Sequence, residues 1–213
     1  MITLYDYLPS QNGYKVRLLL SHLQRPYDTR IISIFEGEGQ KEDFLSRSPT
    51  GAVPVLELED GRVLPESNAI LLYLAEGTRF LPSDAWGRAQ VARWMFFEED
   101  FIQNGIASLR HWVMTGKVAR RSEEFVAAKR RSSLKTLAIL EKWLTGREFL
   151  TPFGYTIADI SVFAYVSRAN EAGIPLESYP AVASWVARIR DQDNFLDTIH
   201  PYAIDPHSVD DLP

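Results

Sequence analysis

The chain has 213 residues, of which 46% are hydrophobic and 24% are charged, and its formal net charge is −5. This composition is that of an ordinary globular protein with enough residues for one large or two small domains. The acidic balance argues against a nucleic-acid partner. No apolar run reaches the roughly 18 residues that a membrane span needs, so we also expect no membrane partner.

Cysteine is absent, which excludes disulfides, thiolate metal sites and a protein thiol nucleophile. The histidines are too widely separated to form a recognisable ligand motif; they are His22, His111, His200 and His207. We therefore predict that the protein binds no metal. The first residues, MITLYDYL, lack the basic start and long apolar region of a signal peptide, so we expect a cytoplasmic protein.

The first part of the sequence alternates between strand and helix patterns. Residues 2–5 predict a strand, the turn-prone residues 8–13 a loop, and residues 14–23 an amphipathic helix. Residues 27–34 are rich in β-branched side chains and predict a second strand, parallel to the first, and residues 41–45 carry a weak helical signal. The opening is therefore a βαβ unit followed by a short helix.

Residues 51–75, GAVPVLELEDGRVLPESNAILLYLA, combine a strand, a hairpin and a helix start. The Asp60-Gly61 pair lies between two apolar segments and predicts a tight β-hairpin, whose second strand Pro65 ends. An apolar helix then begins at Glu66 and Ser67. The element order βαβ-α-ββα is that of the thioredoxin-like fold.

Two features of this stretch suggest a ligand site. The proline after Val53 begins a strand, where a cis peptide bond would expose the backbone of Val53 to a ligand. A helix N-terminus offers unpaired N–H groups to a carboxylate, while Glu66 offers a negative charge to an ammonium. The alternative is that Ser67 only caps the helix.

Beyond a linker at residues 79–87, the patterns are helical. Apolar spacing predicts helices at residues 86–113, 125–144, 160–169 and 181–190. Thr156 and Asp159 form a capping-box-like helix start, to which we assign a structural role and no chemistry. The acidic, proline-containing residues after Pro201 are expected to fray.

The stretch VPVLELEDGRVLPESNAILLYLAE resembles the glutathione S-transferase family along its whole length, and the likeness covers most of the chain. The resemblance implies a thioredoxin-like glutathione-binding domain at residues 1–78 and a linker at 79–87. An all-α helical-bundle domain at residues 88–213 would line the hydrophobic substrate site. It further implies glutathione as the co-substrate, no metal, and a homodimer.

The family pattern also implies which residues bind glutathione. Val53 and Pro54 correspond to the backbone segment that pairs with the cysteinyl part, and Glu66 and Ser67 to the pair that holds the γ-glutamyl end. The glycine end would lie near Gln40 and Lys41, although these two residues could equally form a solvated helix face.

A glutathione enzyme must lower the pKa of a thiol from its free value near 8.5, which hydrogen-bond donors at a helix N-terminus can do. Ser10 matches the serine of serine-type members, and Ser10-x-Asn12-Gly13 resembles the Thr-x-Asn-Gly segment of the nu class. Ser10 and Asn12 are equal candidates, because both side chains can donate a hydrogen bond. Tyr5 is a weaker third candidate, since it could simply belong to the core.

The resemblance leaves the reaction open. The first hypothesis is a transferase that adds glutathione to a small hydrophobic electrophile; the second is a nu-class-like reductase of disulfides or peroxides. A reductase would hold two anionic glutathiones, a role for Arg130 or Arg131, whereas Glu99 or Asp100 could bind an ammonium. The basic runs, which include Arg120, Arg121 and Lys129, could equally be solvated helix faces. A third hypothesis is a non-catalytic interaction module on the same fold.

Overall fold

The structure is a computed structural model that describes residues 1–198 and residue 200. These residues form two compact units. The first contains Met1–Glu76 together with the described residues from Asp193 onward, and the second contains Gly77–Gln192. The predicted domain ranges, 1–78 and 88–213, stay predictions. The expected fraying after Pro201 concerns residues that lie outside the described part of the chain.

The first unit contains a four-stranded mixed sheet and three helices. Its elements are β1 (Ile2–Asp6), α1 (Gln11–His22), β2 (Tyr27–Ile31), α2 (Glu42–Leu45), β3 (Val55–Glu57), β4 (Val63–Pro65) and α3 (Ser67–Ala75). The strand order is β2-β1-β3-β4, with β1 parallel to β2, and with β3 antiparallel to both β1 and β4. This is the predicted βαβ-α-ββα order, which confirms the thioredoxin-like fold.

The hairpin between β3 and β4 forms where the Asp-Gly pair predicted it. Gly61 takes a φ of 83°, which glycine adopts without steric cost, and its N–H donates to Leu58 O at 3.0 Å. Pro65 pairs with Val55 as the last residue of β4, so the strand ends at this proline.

Helix α1 begins three residues earlier than the predicted residue 14. Ser10 is its N-cap, with an extended backbone and a side-chain Oγ that accepts from the Gly13 N–H at 3.4 Å. The residues that resemble a loop in sequence, Gln11 to Gly13, form the first helical turn because this cap satisfies one of the turn's free N–H groups.

The second unit is helical, apart from an isolated bridge between Thr151 and Gly154. Its α-helices are α4 (Ala85–Phe97), α5 (Ser108–Met114), α6 (Glu123–Leu144), α7 (Ile157–Val166) and α8 (Pro180–Arg190). A wider π-helical segment, Glu98–Ala107, joins α4 to α5 where one uninterrupted helix was predicted. The structure confirms that the C-terminal domain is helical, as predicted. Short 3₁₀ turns occur in the first unit at Ile34–Glu36 and Glu38–Gln40. In the second unit they occur at Lys117–Arg120, Ala169–Ala172 and Leu176–Ser178.

Helix α7 is buried along its whole length, and its predicted capping box is present. The fully buried Asp159 carboxylate accepts from the N–H groups of Leu150 at 2.9 Å and Thr156 at 3.0 Å, and from Trp185 Nε1 at 3.0 Å. Burial raises the pKa of Asp159 to about 6, and these hydrogen bonds oppose that rise. The contacts give Asp159 the structural role that the sequence predicted.

Within residues 1–198 and 200, no helix is both long and apolar enough to cross a bilayer. The same residues contain no cluster of three histidine, aspartate or glutamate side chains that could hold a metal ion.

Candidate functional site

The segment before β3 leaves backbone groups free. The Val53–Pro54 peptide bond is cis, as the sequence predicted. Val53 precedes the first ladder residue of β3, and neither its N–H nor its C=O forms a backbone hydrogen bond with another described residue. An extended peptide could therefore pair with Val53 as an additional strand.

The start of α3 has an unusual backbone conformation. Glu66 occupies the N-cap position with φ 73° and ψ 113°, a left-handed conformation that costs a non-glycine residue about 1–3 kcal/mol. Its side chain is exposed, whereas Ser67, the first helical residue, is 5% exposed. The side chain of Glu66, the N-cap residue, forms no capping hydrogen bond with α3.

Ser67 contacts a buried cation. Lys15, in α1, has no solvent exposure, and its Nζ donates to Ser67 Oγ at 3.3 Å. Fully buried lysines are rare in proteins. The contact joins the start of α3 to the second turn of α1.

The two candidates for thiol activation both lie at the start of α1. Ser10 is half-buried, and because its Oγ accepts from Gly13, its own O–H proton is free to point elsewhere. Asn12 is half-buried in the first helical turn. Both lie beside the N-terminal amides of α1, where a helix favours negative charge.

A buried ion pair supports the loop that carries Ser10. Arg17 Nε lies 2.9 Å from Asp6 Oδ2, and Arg17 Nη2 donates to Leu8 O at 2.5 Å. The Asp6 carboxylate packs against Gly13, where an added Cβ would lie 1.7 Å from Asp6 Oδ1. Burial raises the pKa of Asp6, while the positive charge of Arg17 opposes the rise.

The two candidate residues for binding the glycine end of glutathione, Gln40 and Lys41, have different surroundings. The Gln40 side-chain amide lies against Gly51, because a Cβ added at Gly51 would be 2.5 Å from Gln40 Nε2. It is therefore near the segment that leads to Val53. The Lys41 ammonium lies 3.6 Å from a Glu38 carboxylate oxygen and lines a separate cavity of about 240 Å³.

Tyr5 belongs to the face of the sheet on which α2 packs. Its ring lies 6.1 Å from the ring of Phe44, and its hydroxyl donates to Glu57 Oε2 at 2.7 Å. Burial and the hydrogen bond to Glu57 raise the pKa of Tyr5. These contacts support the alternative in which Tyr5 is a core residue.

Two of the basic candidates in the second unit donate to backbone carbonyl groups of the same unit. Lys129 Nζ donates to Asn104 O at 2.5 Å, and Arg130 Nη1 donates to Gly173 O at 3.0 Å. Glu99 and Asp100 are exposed. A further set of candidates is also exposed or partly exposed: Arg120, Arg121 and Arg131.

Next to the exposed Glu99 and Asp100, Glu98 is buried. The sequence did not single out this residue. Glu98 has no solvent exposure, and its Oε2 accepts from Ser161 Oγ at 3.2 Å. It is the first residue of the π-helical segment.

Reasoning from sequence missed the buried charges of the first unit, namely Asp6, Lys15 and Arg17. One signal was present, because α1 places two cations within an otherwise apolar run. In an amphipathic helix such cations are usually solvated, and only the packing of α1 on its neighbours shows that they are buried.

Comparison with known proteins is consistent with this geometry. Residues 9–76 match the N-terminal domain of glutathione S-transferase and residues 91–193 match its C-terminal domain. The chain therefore belongs to the glutathione S-transferase family.

Individual relatives differ in described activity. The disulfide-bond oxidoreductase YfcG of Escherichia coli is 31% identical, over 89% of this chain and 90% of its own. A glutathione S-transferase structure from Pseudomonas fluorescens is 37% identical with a TM-score of 0.89, covering 92% of this chain and 97% of its own. A glutathione transferase from Burkholderia graminis, 29% identical with a TM-score of 0.74, has two glutathione molecules bound per subunit and covers 91% of this chain and 85% of its own.

Proposed function

We propose that this protein is an enzyme that binds glutathione in its first unit. The free backbone groups of Val53 are the observation that carries the proposal, because a tripeptide can pair with them. Glu66 and Ser67 would hold the ammonium and carboxylate of the γ-glutamyl group, with Pro54 beside the cysteinyl part and Gln40 near the glycine end. The bound glutathione of the B. graminis relative supports the same ligand here.

The thiol of the bound glutathione would lie at the start of α1. Ser10 and Asn12 each offer a donor there, and the first amides of α1 add partial positive charge. Such donors favour the thiolate over the thiol and thereby lower the thiol pKa.

We propose that the enzyme reduces disulfides, and the similarity to E. coli YfcG supports this reaction. Because the chain contains no cysteine, both electrons must come from glutathione. The thiolate of one glutathione attacks a substrate sulfur, forms a mixed disulfide and releases the other sulfur as a thiolate. A second glutathione thiolate then attacks the glutathione sulfur of the mixed disulfide, which forms oxidised glutathione and releases the second substrate thiolate.

Conjugation to a hydrophobic electrophile is the second candidate reaction. The P. fluorescens structure, which is more similar in sequence than YfcG, is described as a glutathione S-transferase. This reaction uses the same thiolate, which attacks carbon and displaces a leaving group. It needs one glutathione for each turnover.

Glutathione binding is tested by calorimetry and by thermal unfolding. Glutathione at millimolar concentration should raise the melting temperature, because a ligand that binds only the folded state stabilises it. Glu66→Ala should weaken binding at least about tenfold, since it removes a charge partner of the ligand. Glu124→Ala, at an exposed site in α6, is the matched control and should bind normally. The absence of both heat and stabilisation in the unaltered protein would refute the proposal.

The reaction is tested by supplying hydroxyethyl disulfide and a chlorodinitrobenzene in parallel assays with glutathione. If the enzyme reduces disulfides, one molecule of oxidised glutathione should form for each molecule of hydroxyethyl disulfide consumed. Turnover of the aryl chloride alone would reject the reductase and support conjugation.

A further inference from the structure

A cavity of about 480 Å³ lies in the second unit, beside the start of α4 and the loop that joins α6 to α7. A cavity of this volume is large enough for a small organic molecule. All the residues that we propose to bind glutathione belong to the first unit, so none of them lines it. Its lining includes three aromatic and three polar side chains: Trp86, Trp143, Phe149, Gln90, Arg147 and Glu148.

The loop that forms one wall of this cavity is held by hydrogen bonds. Trp143 Nε1 donates to Leu150 O at 3.0 Å, and the Leu150 N–H donates to the buried Asp159 carboxylate at 2.9 Å. Thr151 and Gly154 pair in an isolated bridge within the same loop. Because these contacts fix the wall before a ligand arrives, little conformational entropy is lost when the ligand binds.

Trp86 is the most exposed aromatic side chain of the cavity. It is the second residue of α4 and is 68% exposed, whereas Trp143 and Phe149 are half-buried. Within the part of the chain that the structure describes, the Trp86 ring stacks on no other ring. A planar aromatic ligand in the cavity would cover this ring and remove apolar surface of both partners from water.

Arg147 places a positive charge at the cavity in a fixed position. Its guanidinium carbon lies 4.3 Å from the centroid of the Trp143 ring, and its Nη1 donates to Trp143 O at 2.5 Å. Arg147 forms no ion pair with another described residue. A guanidinium has five N–H donors, so those that Trp143 does not use can bind an anion.

A second guanidinium adds to the positive charge at Trp143. The guanidinium carbon of Arg93 lies 4.9 Å from the centroid of the same ring, and Arg93 too has no ion pair among residues 1–198 and 200. Glu148 opposes these charges with one exposed carboxylate. The balance of two guanidiniums against one carboxylate is positive, which favours an anionic ligand over a neutral ligand of the same shape.

We propose that this cavity binds a small planar aromatic molecule that carries a carboxylate or sulfonate group. The aromatic ring lies against Trp86 and Phe149, and the anionic group lies at Arg147. This binding is separate from the proposed glutathione site and does not depend on it.

The test uses two fluorescent probes with the same ring system. 8-Anilinonaphthalene-1-sulfonate carries the anionic group, and N-phenyl-1-naphthylamine lacks it. The unaltered protein should bind the sulfonate saturably. Arg147→Gln should weaken the sulfonate by about tenfold and change the affinity for the neutral probe by less than about twofold. Trp86→Ala should weaken both probes by about tenfold, because both lose the same ring contact.

Three further variants serve as controls. Phe153→Ala removes a ring that is 40% exposed in the same loop but does not line the cavity, and it should bind both probes normally. Lys135→Gln removes an exposed cation of α6 and should also bind normally. Glu148→Gln should strengthen binding of the sulfonate by about two- to fivefold, since it removes an exposed charge of the same sign.

Saturating S-hexylglutathione separates this cavity from a glutathione site. Binding of the sulfonate that depends on Arg147 should persist in its presence. Displacement of that binding would show that the cavity belongs to the glutathione site and would overturn the inference. If S-hexylglutathione itself does not bind, the proposed function fails while the probe experiment still stands, so the two failures are distinguishable.

Other results would also overturn the inference. These are the absence of saturable sulfonate binding, unchanged affinity for the sulfonate in both Arg147→Gln and Trp86→Ala, and equal weakening of the two probes by Arg147→Gln. Light scattering gives a last check, because Trp86→Ala should keep the mass of the unaltered protein. A lower mass together with normal sulfonate binding by Arg147→Gln would assign Trp86 to a contact between two copies of the chain.

Discussion

At the scale of single residues, the first unit places an ion pair under the loop that precedes α1. Asp6 has no solvent exposure and Arg17 is 4% exposed, so water screens neither charge effectively. Arg17 also donates to Leu8 O, which ties the loop backbone to the same guanidinium. The conformation of the loop that presents Ser10 thus depends on a pair of charges that the proposed chemistry does not use.

Removing Arg17 should destabilise the fold more at neutral than at acid pH. Arg17→Met leaves the Asp6 carboxylate buried and unpaired, a loss of about 3–5 kcal/mol. Burial already raises the pKa of Asp6, and without Arg17 the pKa rises further. The folded variant therefore binds the Asp6 proton more tightly than the unfolded chain does, so its stability falls as pH rises through the folded-state pKa.

Urea unfolding of Arg17→Met and of the unaltered protein at about pH 4 and about pH 7 measures this difference, because groups that titrate equally in both proteins cancel in the comparison. The double variant Asp6→Asn with Arg17→Met has no carboxylate at position 6 and should therefore lose the extra pH dependence of stability. An equal penalty for Arg17→Met at both pH values would contradict the account.

Gly13 is required because of the same carboxylate. Gly13→Ala would place a Cβ 1.7 Å from Asp6 Oδ1, so either Asp6 or the first turn of α1 must move. We expect a loss of about 2–4 kcal/mol in the free energy of unfolding despite the better helix propensity of alanine. Gly105→Ala is the control, because its Cβ would meet the end of the Ser133 side chain at 3.1 Å. Similar stability of the two variants in urea unfolding would show that the packing of Asp6 on Gly13 is unimportant.

At the scale of elements, the sequence predicted best where the signals are local. The Asp60-Gly61 pair specifies its own turn, and the apolar run after Ser67 specifies α3, so both elements were found. The start of α1 was missed because Gln11 to Gly13 contain turn-forming residues, and only the cap from Ser10 makes them helical. The π-helical segment Glu98–Ala107 has no sequence signature of its own, since the apolar spacing there also fits an α-helix.

The N-terminus of α7 should tolerate substitution less than that of α4. Asp159→Ala leaves the N–H groups of Leu150, Thr156 and Trp185 buried without their acceptor, which should cost about 3 kcal/mol or more. Asp84→Ala removes the α4 cap, in which Asp84 Oδ1 accepts from Gly87 N at 2.9 Å. Because Asp84 is exposed, about 1 kcal/mol is expected there. Chemical denaturation of both variants gives the comparison, and equal losses would argue against the buried network.

At the scale of the whole molecule, the family and the fold class were predictable because their motif is contiguous in sequence. Val53, Pro54, Glu66 and Ser67 lie within 15 residues of one another in a pattern that can be read directly. Lys15 was not predictable, because its contact with Ser67 joins residues 52 positions apart. Such a contact depends on how α1 packs against α3, which no local pattern encodes.

We expect the protein to form a homodimer, as its family membership suggests. Large apolar side chains remain exposed in both units, with Tyr73 at 42%, Trp86 at 68% and Phe96 at 69%. Aromatic residues are enriched at protein–protein interfaces. Light scattering coupled to size-exclusion chromatography should give twice the 24.3 kDa chain mass. A monomer at micromolar concentration would contradict this expectation.

The central claim is that the protein binds glutathione and holds it as a thiolate at the start of α1. The most direct measurement is the ultraviolet absorbance of the bound thiolate, followed as a function of pH. We predict a titration midpoint well below the free thiol pKa of about 8.5. Ser10→Ala, Asn12→Ala or both should move that midpoint upward. Bound glutathione that titrates with its free pKa would contradict the account, and an unchanged midpoint in both variants would show that the helix amides alone stabilise the thiolate.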